Sequence, residues 1–250
     1  MSAMIQIEEI QTEFGAIAVT RNPSTGTMIY KVGGRQQGMM DRSGTSLAYY
    51  IHALFGLLTQ AGARSILMIG GAGCTLGSML ARAGCRTAIV DVNPASFVVA
   101  RRHFGLPDSV ICHAAEGEQF LRGETGAYDG IVLDAFHGDD IPPHLQSSQF
   151  FGLVRERLAP GGVMLANVLV ANDSDESAGR VANSMKHVWT DVRVLDAAGI
   201  SDRNAIVMAG QVSQLREPDL LMPPVTNPHV IARELGRLKF RDRKATDRFV

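Results

Sequence analysis

The residues best suited to chemistry lie in one stretch, and their spacing is typical of a site for a nucleoside. Gly70, Gly71 and Gly73 follow an apolar run, and Asp91 ends the next β-rich run about twenty residues later. In a βαβ unit, such glycines let the backbone approach a ligand, and such an acid accepts the ribose hydroxyls. The alternative is a structural turn in which Asp91 only caps the next helix. No Gly-Lys-Ser/Thr follows the glycines, which argues against a P-loop.

Two further acids follow predicted strands in the same manner as Asp91. Glu116 comes after a strand predicted at residues 110–113, and Asp134 ends an apolar run that begins at Tyr128. Open parallel sheets bind ligands beyond the carboxyl ends of their strands, so we expect the three acids to share one crevice. Taken singly, each acid is equally well explained as a helix N-cap or a solvated side chain.

The loop after Asp134 is the predicted substrate-facing segment, because function concentrates on such loops. It carries His137, Asp139, Asp140 and His144, whose side chains are all possible metal ligands. Their spacing matches no familiar zinc or two-metal pattern, so we expect no metal.

Hydrophobic periodicity predicts an α/β protein with three parts. Residues 1–44 form a small β-appendage, residues 45–225 form a Rossmann-like nucleoside-binding domain, and residues 226–250 form a basic helix and tail. The expected core is a doubly wound sheet of seven strands that ends in a hairpin-like pair. We expect the basic tail to be solvated, with Arg233, Arg237, Lys239, Arg241, Arg243 and Lys244 exposed.

Composition and charge limit the partners and the cellular compartment that we expect for the chain. It has 250 residues, 46% of them hydrophobic, and a formal net charge of -1, which gives no general attraction to nucleic acid or membrane. Three cysteines without Cys-x-x-Cys spacing favour a reducing compartment, and the N-terminus has no secretory pattern. We therefore expect a cytoplasmic protein that binds no nucleic acid and no membrane.

Several segments together resemble the spermidine synthase-like group of class I S-adenosylmethionine-type transferases, over almost the whole chain. The matching segments are GGAGCTLG, VDVNP, EGEQFL, YDGIVLDAFHGDDIPPHL, LAPGGVMLANVLV and RNAIVMAG. The appendage with Gln36 and Gln37, and the helix after it with Tyr50, are similar to the N-terminal part of that group.

The resemblance implies roles at particular positions. Gly71 and Gly73 would lie along the methionine-derived and ribose parts of the cofactor, Asp91 would bind the ribose, and Glu116 would contact the adenine amino group. Asp134 matches the aspartate that accepts a proton from the attacking amine. Gln37, Tyr50, His137 and Asp140 are the expected substrate-binding residues.

Three departures from the aminopropyltransferase pattern are visible in the sequence. Gly73 stands where those enzymes carry an aspartate that binds the free amine of the decarboxylated cofactor. The segment that begins Asp134-Ala135-Phe136-His137 replaces Asp-Ser-Ser-Asp-Pro, and Asn167 replaces a glutamine. Loss of the glycine-turn acid weakens selection for decarboxylated S-adenosylmethionine.

We therefore expect a transferase that moves an alkyl group, such as aminopropyl, from S-adenosylmethionine or its decarboxylated form to a small amine. A small-molecule methyltransferase on the same fold is the main alternative. A nucleotide-binding homologue without catalysis and a dehydrogenase are lesser ones. No metal cofactor and a homodimer are also expected.

Overall fold

The structure, a computed structural model, describes residues 3–241 and contains two β-sheets. The N-terminal sheet is an antiparallel meander in the order β1-β2-β3-β4. Its strands are β1 Ile5–Ile10, β2 Ile17–Arg21, β3 Met28–Val32 and β4 Arg35–Met40. This meander is the predicted β-appendage.

The central sheet follows helix α1 (Tyr49–Gln60) and alternates with further helices. Its strands are β5 Ser65–Ile69, β6 Arg86–Asp91, β7 Ile111–Ala114, β8 Tyr128–Leu133, β9 Leu158–Val170, β10 Val192–Asp196, β11 Arg203–Gly210 and β12 Lys239–Phe240. The helices are α2 Thr75–Arg82, α3 Pro94–His103, α4 Gly117–Gly123, α5 Ser148–Arg157, α6 Ser177–Lys186 and α7 Pro228–Gly236.

The strand order of the central sheet is β12-β10-β11-β9-β8-β5-β6-β7. Strands β5 to β9 are parallel, and β11 pairs antiparallel with both β9 and β10. The chain moves outward from β5 to β7 and then returns to β8 on the other side of β5. This reversal puts a topological switch point between β5 and β8, where open α/β sheets bind ligands. The predicted doubly wound sheet with a terminal hairpin is confirmed.

The described part of the C-terminal segment departs from the prediction in two ways. Lys239–Phe240 forms the short strand β12 after α7. This strand pairs with β10, so the central sheet has eight described strands and not the expected seven. Arg241 is not a solvated tail residue, because its guanidinium contacts Asp196 Oδ2 at 2.6 Å. Arg243 and Lys244 lie outside the described residues.

Asp196 stabilises this end of the sheet by accepting from two arginines. Arg203 Nε lies 2.7 Å from Asp196 Oδ1, and both residues are almost fully buried. Burial raises the pKa of Asp196, but hydrogen bonds from Arg203 and Arg241 outweigh it and hold the pKa below its usual value. The ion pairs connect β10, β11 and the residue after β12.

Helices cover both faces of the central sheet, and the appendage has a core of its own. One face packs α1, α2 and α7, and the other packs α4, α5 and α6. Tyr30 of β3 is fully buried beside Phe104, just after α3, with the two rings edge to face at 5.7 Å. The Tyr30 hydroxyl also lies 3.0 Å from Ser96 Oγ of α3. These contacts dock the appendage on α3 and the residue that follows it.

Gly70 is where the switch point is tightest. Its φ is +78°, and a Cβ built there would lie 2.5 Å from Asp134 O and 2.6 Å from Ala135 Cα. The Gly70 N–H donates to Val90 O at 2.8 Å, and the Asp134 N–H donates to Ile69 O at 2.8 Å. The turn after β5 and the turn after β8 are therefore in backbone contact.

We expect Gly70→Ala to lower the free energy of unfolding by about 2–4 kcal/mol, from backbone strain plus steric overlap. Gly84→Ala is the matched control, because Gly84 has φ +80° and nothing within 4 Å of an added Cβ. It should cost only the strain, about 1 kcal/mol. Urea unfolding followed by circular dichroism measures both. Equal losses in the two variants would contradict the close approach.

Candidate active site

The glycine turn after β5 combines several unusual backbone conformations. Gly73 has φ +68°, and Cys74, which begins α2 as its N-cap, has φ +55° without being a glycine. The Cys74 N–H donates to Gly71 O, which closes the turn. Non-glycine residues in this region are strained and cluster at functional sites. The glycine turn at the carboxyl end of β5 is therefore a candidate for part of a functional site.

Asp91 reaches this turn from the end of β6. Its Oδ1 accepts from the Asn93 N–H at 2.9 Å, and the Gly71 N–H also donates to its carboxylate. Burial raises the pKa of Asp91, and these two hydrogen bonds oppose the rise. The helix-cap alternative for Asp91 is wrong, because Asn93 is the N-cap of α3 and accepts from the Ala95 N–H at 3.1 Å. Asp91 and Gly71 are thus brought together.

Glu116 lies next to Asp91 at the end of the neighbouring strand, but it also has structural partners. The Ala115 N–H donates to Asp91 O at 3.1 Å. Glu116 is the N-cap of α4, with Oε2 accepting from the Gln119 N–H at 2.8 Å, while Oε1 lies 2.9 Å from His144 Nε2. Burial raises the pKa of Glu116, but the hydrogen bonds outweigh it and leave the pKa below its usual value. The N-cap role weighed for this acid is present.

Asp134 follows β8 directly, opposite Gly70. Its Oδ1 accepts a hydrogen bond at 2.8 Å from Nδ2 of Asn167, a buried residue of β9. Burial raises the pKa of Asp134 to about 6, although the bond from Asn167 lowers it. A carboxylate with such a pKa is ionised at neutral pH and can still take up a proton readily, as a general base must.

Helix α1 contributes Tyr50 to the surroundings of Asp134. Burial raises the pKa of Tyr50 well above its usual value, and the negative charge of Asp134 raises it further. Tyr50 also packs edge to face on Tyr49, with the ring centroids 6.5 Å apart. Tyr50, one of the expected substrate-binding residues, therefore lies close enough to Asp134 to be affected by its charge.

The appendage places Gln37 above the glycine turn. Lys31 pairs with Gln36 and Tyr30 with Gly38, so Gln37 is the extra residue of a β-bulge in β4. A Cβ added at Gly38 would lie 3.1 Å from Ala72 O. Bulges redirect side chains and are frequent beside active sites.

The loop after Asp134 holds His137 and Asp140 in a tight turn with both side chains exposed. The turn is closed by the backbone, with the His137 N–H donating to Asp140 O at 2.8 Å. Asp139 forms an ion pair with Arg35 of β4, which connects this loop to the appendage. Within residues 3–241, no three His, Cys, Asp or Glu side chains come together in a way that could hold a metal ion.

Two residues near Asp134 were not recognised as part of a site from the sequence. Asn204 donates from Nδ2 to Asn167 Oδ1 at 2.9 Å, and the Tyr49 hydroxyl contacts the backbone of Asn204. No local pattern could identify them, since Tyr49 and Asn204 are 155 residues apart in the chain.

Comparisons with known proteins by sequence give partial matches. No protein-family model matches the chain. A probable polyamine aminopropyl transferase of Bifidobacterium longum is 30% identical over 146 residues, which are 58% of this chain and 33% of the relative. A polyamine aminopropyltransferase of Vibrio vulnificus is 32% identical over 126 residues, 48% of this chain and 42% of the relative. The chain spans less than half the length of these curated relatives.

Comparisons with solved structures cover more of the chain. A probable spermidine synthase from Corynebacterium glutamicum aligns with a TM-score of 0.77 at 20% identity, over 100% of this chain and 94% of that one. Human methyltransferase-like protein 13, in complex with SAH, aligns with a TM-score of 0.54 at 20% identity, over 75% and 89% of the two chains. The chain is therefore similar in sequence to polyamine aminopropyltransferases over part of its length, and it has the fold of the spermidine synthase-like group of class I S-adenosylmethionine-type transferases.

Proposed function

We propose that this protein transfers an aminopropyl group from decarboxylated S-adenosylmethionine to a small amine. The observation that carries the proposal is the carboxylate of Asp134. It lies at the switch point beside the glycine turn, and its pKa of about 6 suits a base at neutral pH. The relationship to polyamine aminopropyltransferases supports the same reaction.

The nucleoside would lie across the ends of β5, β6 and β7. Asp91 would accept the two ribose hydroxyls, with Gly71 and Gly73 along the ribose and the methionine-derived chain. Glu116 would contact the adenine amino group, for which its bond to His144 would have to open or be shared. The hydrogen bond from the Gly71 N–H to the Asp91 carboxylate supports this arrangement, because it brings the carboxylate and the glycine turn together.

Asp134 would act on the acceptor amine. The free amine attacks the carbon next to the sulfonium sulfur, the new C–N bond forms, and the C–S bond breaks with its electron pair going to sulfur, which leaves a neutral thioether. The nitrogen then carries a positive charge, and Asp134 stabilises it and takes its proton. The acceptor would contact Gln37 of the appendage, Tyr50 of α1, and His137 and Asp140 of the loop after β8.

Methyl transfer from S-adenosylmethionine is the second candidate, and Gly73 is the observation that favours it. Aminopropyltransferases place an acid here for the amine of the decarboxylated cofactor. In this chain a Cβ at residue 73 would already lie 3.4 Å from Tyr30 Cβ. Without that acid, the carboxylate of S-adenosylmethionine would meet less repulsion.

The location, oligomeric state and partners of the protein stay predictions. No described helix has the length and apolar character needed to cross a bilayer. We expect a cytoplasmic location, a homodimeric state, no metal cofactor and no binding of nucleic acid or membrane.

Isothermal titration compares the affinities of the protein for the two donors. We expect decarboxylated S-adenosylmethionine and S-adenosylmethionine to differ in Kd by less than about tenfold, because no glycine-turn acid selects between them. Methylthioadenosine should bind as the shared product-like core. Absence of binding by all three would overturn the proposed function.

Asp91→Ala should weaken nucleoside binding by about 1–3 kcal/mol, the usual cost of removing a charged hydrogen-bond partner. Asp108→Ala is the control, since that acid is fully exposed and pairs only with Arg101 on the surface. The same titration measures both variants, and circular dichroism checks that each is folded. An unchanged Kd in Asp91→Ala would place the ribose elsewhere.

Asp134→Asn should reduce turnover with an amine by about 10²- to 10⁴-fold and leave nucleoside affinity unchanged, because only the proton acceptor is lost. In the unsubstituted protein, activity should fall as pH drops through about 6, where Asp134 becomes protonated. It should rise toward alkaline pH as more acceptor becomes free base. Asp108→Asn is the control in the same assay. A near-normal rate in Asp134→Asn would exclude its role as the base.

A further inference from the structure

Behind Asp134 lies a chain of hydrogen bonds that joins three separate elements. Asn167 of β9 donates from Nδ2 to Asp134 Oδ1 at 2.8 Å. Asn204 of β11 donates from Nδ2 to Asn167 Oδ1 at 2.9 Å. Tyr49 of α1 then contacts Asn204, accepting from its backbone N–H at 2.7 Å and donating to its carbonyl at 3.2 Å.

We propose that Asn204 is a positioning residue: it fixes the orientation of the Asn167 amide and so keeps an N–H donor on the carboxylate of Asp134. The importance of this for turnover rests on the proposed function, in which Asp134 is the base. The effect of Asn204 on the carboxylate of Asp134 does not rest on the proposed function, because it is a property of the free protein.

The hydrogen-bonding capacity of each side chain determines which atoms donate and which accept in this chain of hydrogen bonds. An ionised carboxylate only accepts hydrogen bonds, so the Asn167 atom that faces Asp134 must be the NH₂ nitrogen. The other end of the Asn167 amide is then an oxygen, and it needs a donor. Asn167 is 1% exposed, so solvent is not available to replace Asn204 in this place.

The backbone of Asn204 has support on both sides. On one side β11 pairs with β9, where Asn204 lies opposite Leu169. On the other side the pairing between β10 and β11 extends only to Leu195 and Ile206, two residues short of Asn204, and the Tyr49 hydroxyl satisfies both backbone groups of Asn204. An unsatisfied backbone group in this partly buried place would be costly, so the contact with α1 stabilises the start of β11.

The arrangement leaves the two oxygens of Asp134 with different tasks. Oδ1 is occupied by Asn167, and Oδ2 is left to accept a proton from the acceptor amine. Among the described residues, Tyr50 of α1 is the other titratable group that faces Asp134, while Asp196 and Arg203 face Tyr49 from β10 and β11. Arg203 and Arg241 both pair with Asp196, and none of the three is among the groups that shift the pKa of Asp134.

Titration of the Asp134 carboxyl carbon by ¹³C NMR, with the free protein, tests the proposal directly. Asn204→Leu removes the donor without adding a charge, so the pKa of Asp134 should rise by about half a unit to one unit. Asn204→Asp is nearly isosteric and can only accept when ionised. It should turn the Asn167 amide round and raise the pKa of Asp134 further, with charge repulsion adding to the rise.

Met208→Leu, a volume-conserving change at a buried position of the same strand, is the matched control and should leave the pKa of Asp134 unchanged. In an amine-transfer assay, the acid limb of the pH profile should move upward with the NMR pKa in both Asn204 variants, while the KM for the nucleoside stays constant. Folded Asn204 variants in which Asp134 titrates as in the unsubstituted protein would overturn the proposal. If the pKa of Asp134 rises in both Asn204 variants as expected but the unsubstituted protein shows no turnover, the proposed function is refuted and the positioning role of Asn204 is not.

Discussion

The backbone contact between the turn after β5 and the turn after β8 is the constraint on which the candidate site depends. Gly70 approaches Asp134 and Ala135 so closely that any Cβ at residue 70 would overlap them. This contact fixes the distance between the glycine turn and the carboxylate of Asp134. Because Gly70 also bonds to Val90 of β6, three neighbouring strands end in register at one edge. A nucleoside and a proton acceptor can share that edge only while the contact is maintained.

The three acids at this edge are stabilised in different ways, and the differences match different tasks. Glu116 accepts from a helix N-terminus and lies against His144, which holds its pKa low and keeps it charged. Asp91 accepts backbone hydrogen bonds that partly offset its burial. Asp134 accepts from the Asn167 side chain, and burial prevails over this hydrogen bond and raises its pKa to about 6. A ligand-binding acid benefits from a permanent charge, whereas a base must accept a proton during the reaction.

Local patterns were sufficient to predict the parts of the structure that depend on neighbouring residues. The alternation of apolar runs predicted the strands, and the interval between Gly70 and Asp91 predicted their approach, because a βαβ unit brings these positions together by its own geometry. Partners distant in the chain could not be predicted. Asn204 meets Asn167 and Tyr49 only through the strand order, and Arg241 meets Asp196 only because β12 joins the sheet. Charge and composition alone made Arg241 look like an ordinary solvated residue.

The glycine at residue 73 matches the backbone conformation that the turn requires there. Gly73 has φ +68°, a conformation that costs a non-glycine residue about 1–2 kcal/mol, and its Cα faces the Tyr30 side chain. Tyr30 in turn is fixed by Phe104 and Ser96, which dock the appendage on α3. A Cβ at residue 73 would lie 3.4 Å from the Tyr30 side chain, an ordinary van der Waals contact, so the positive φ rather than the tyrosine is what favours glycine here. The glycine turn and the docked appendage therefore lie in contact through these two residues, and an aspartate at residue 73 would have to adopt the left-handed conformation or change the turn.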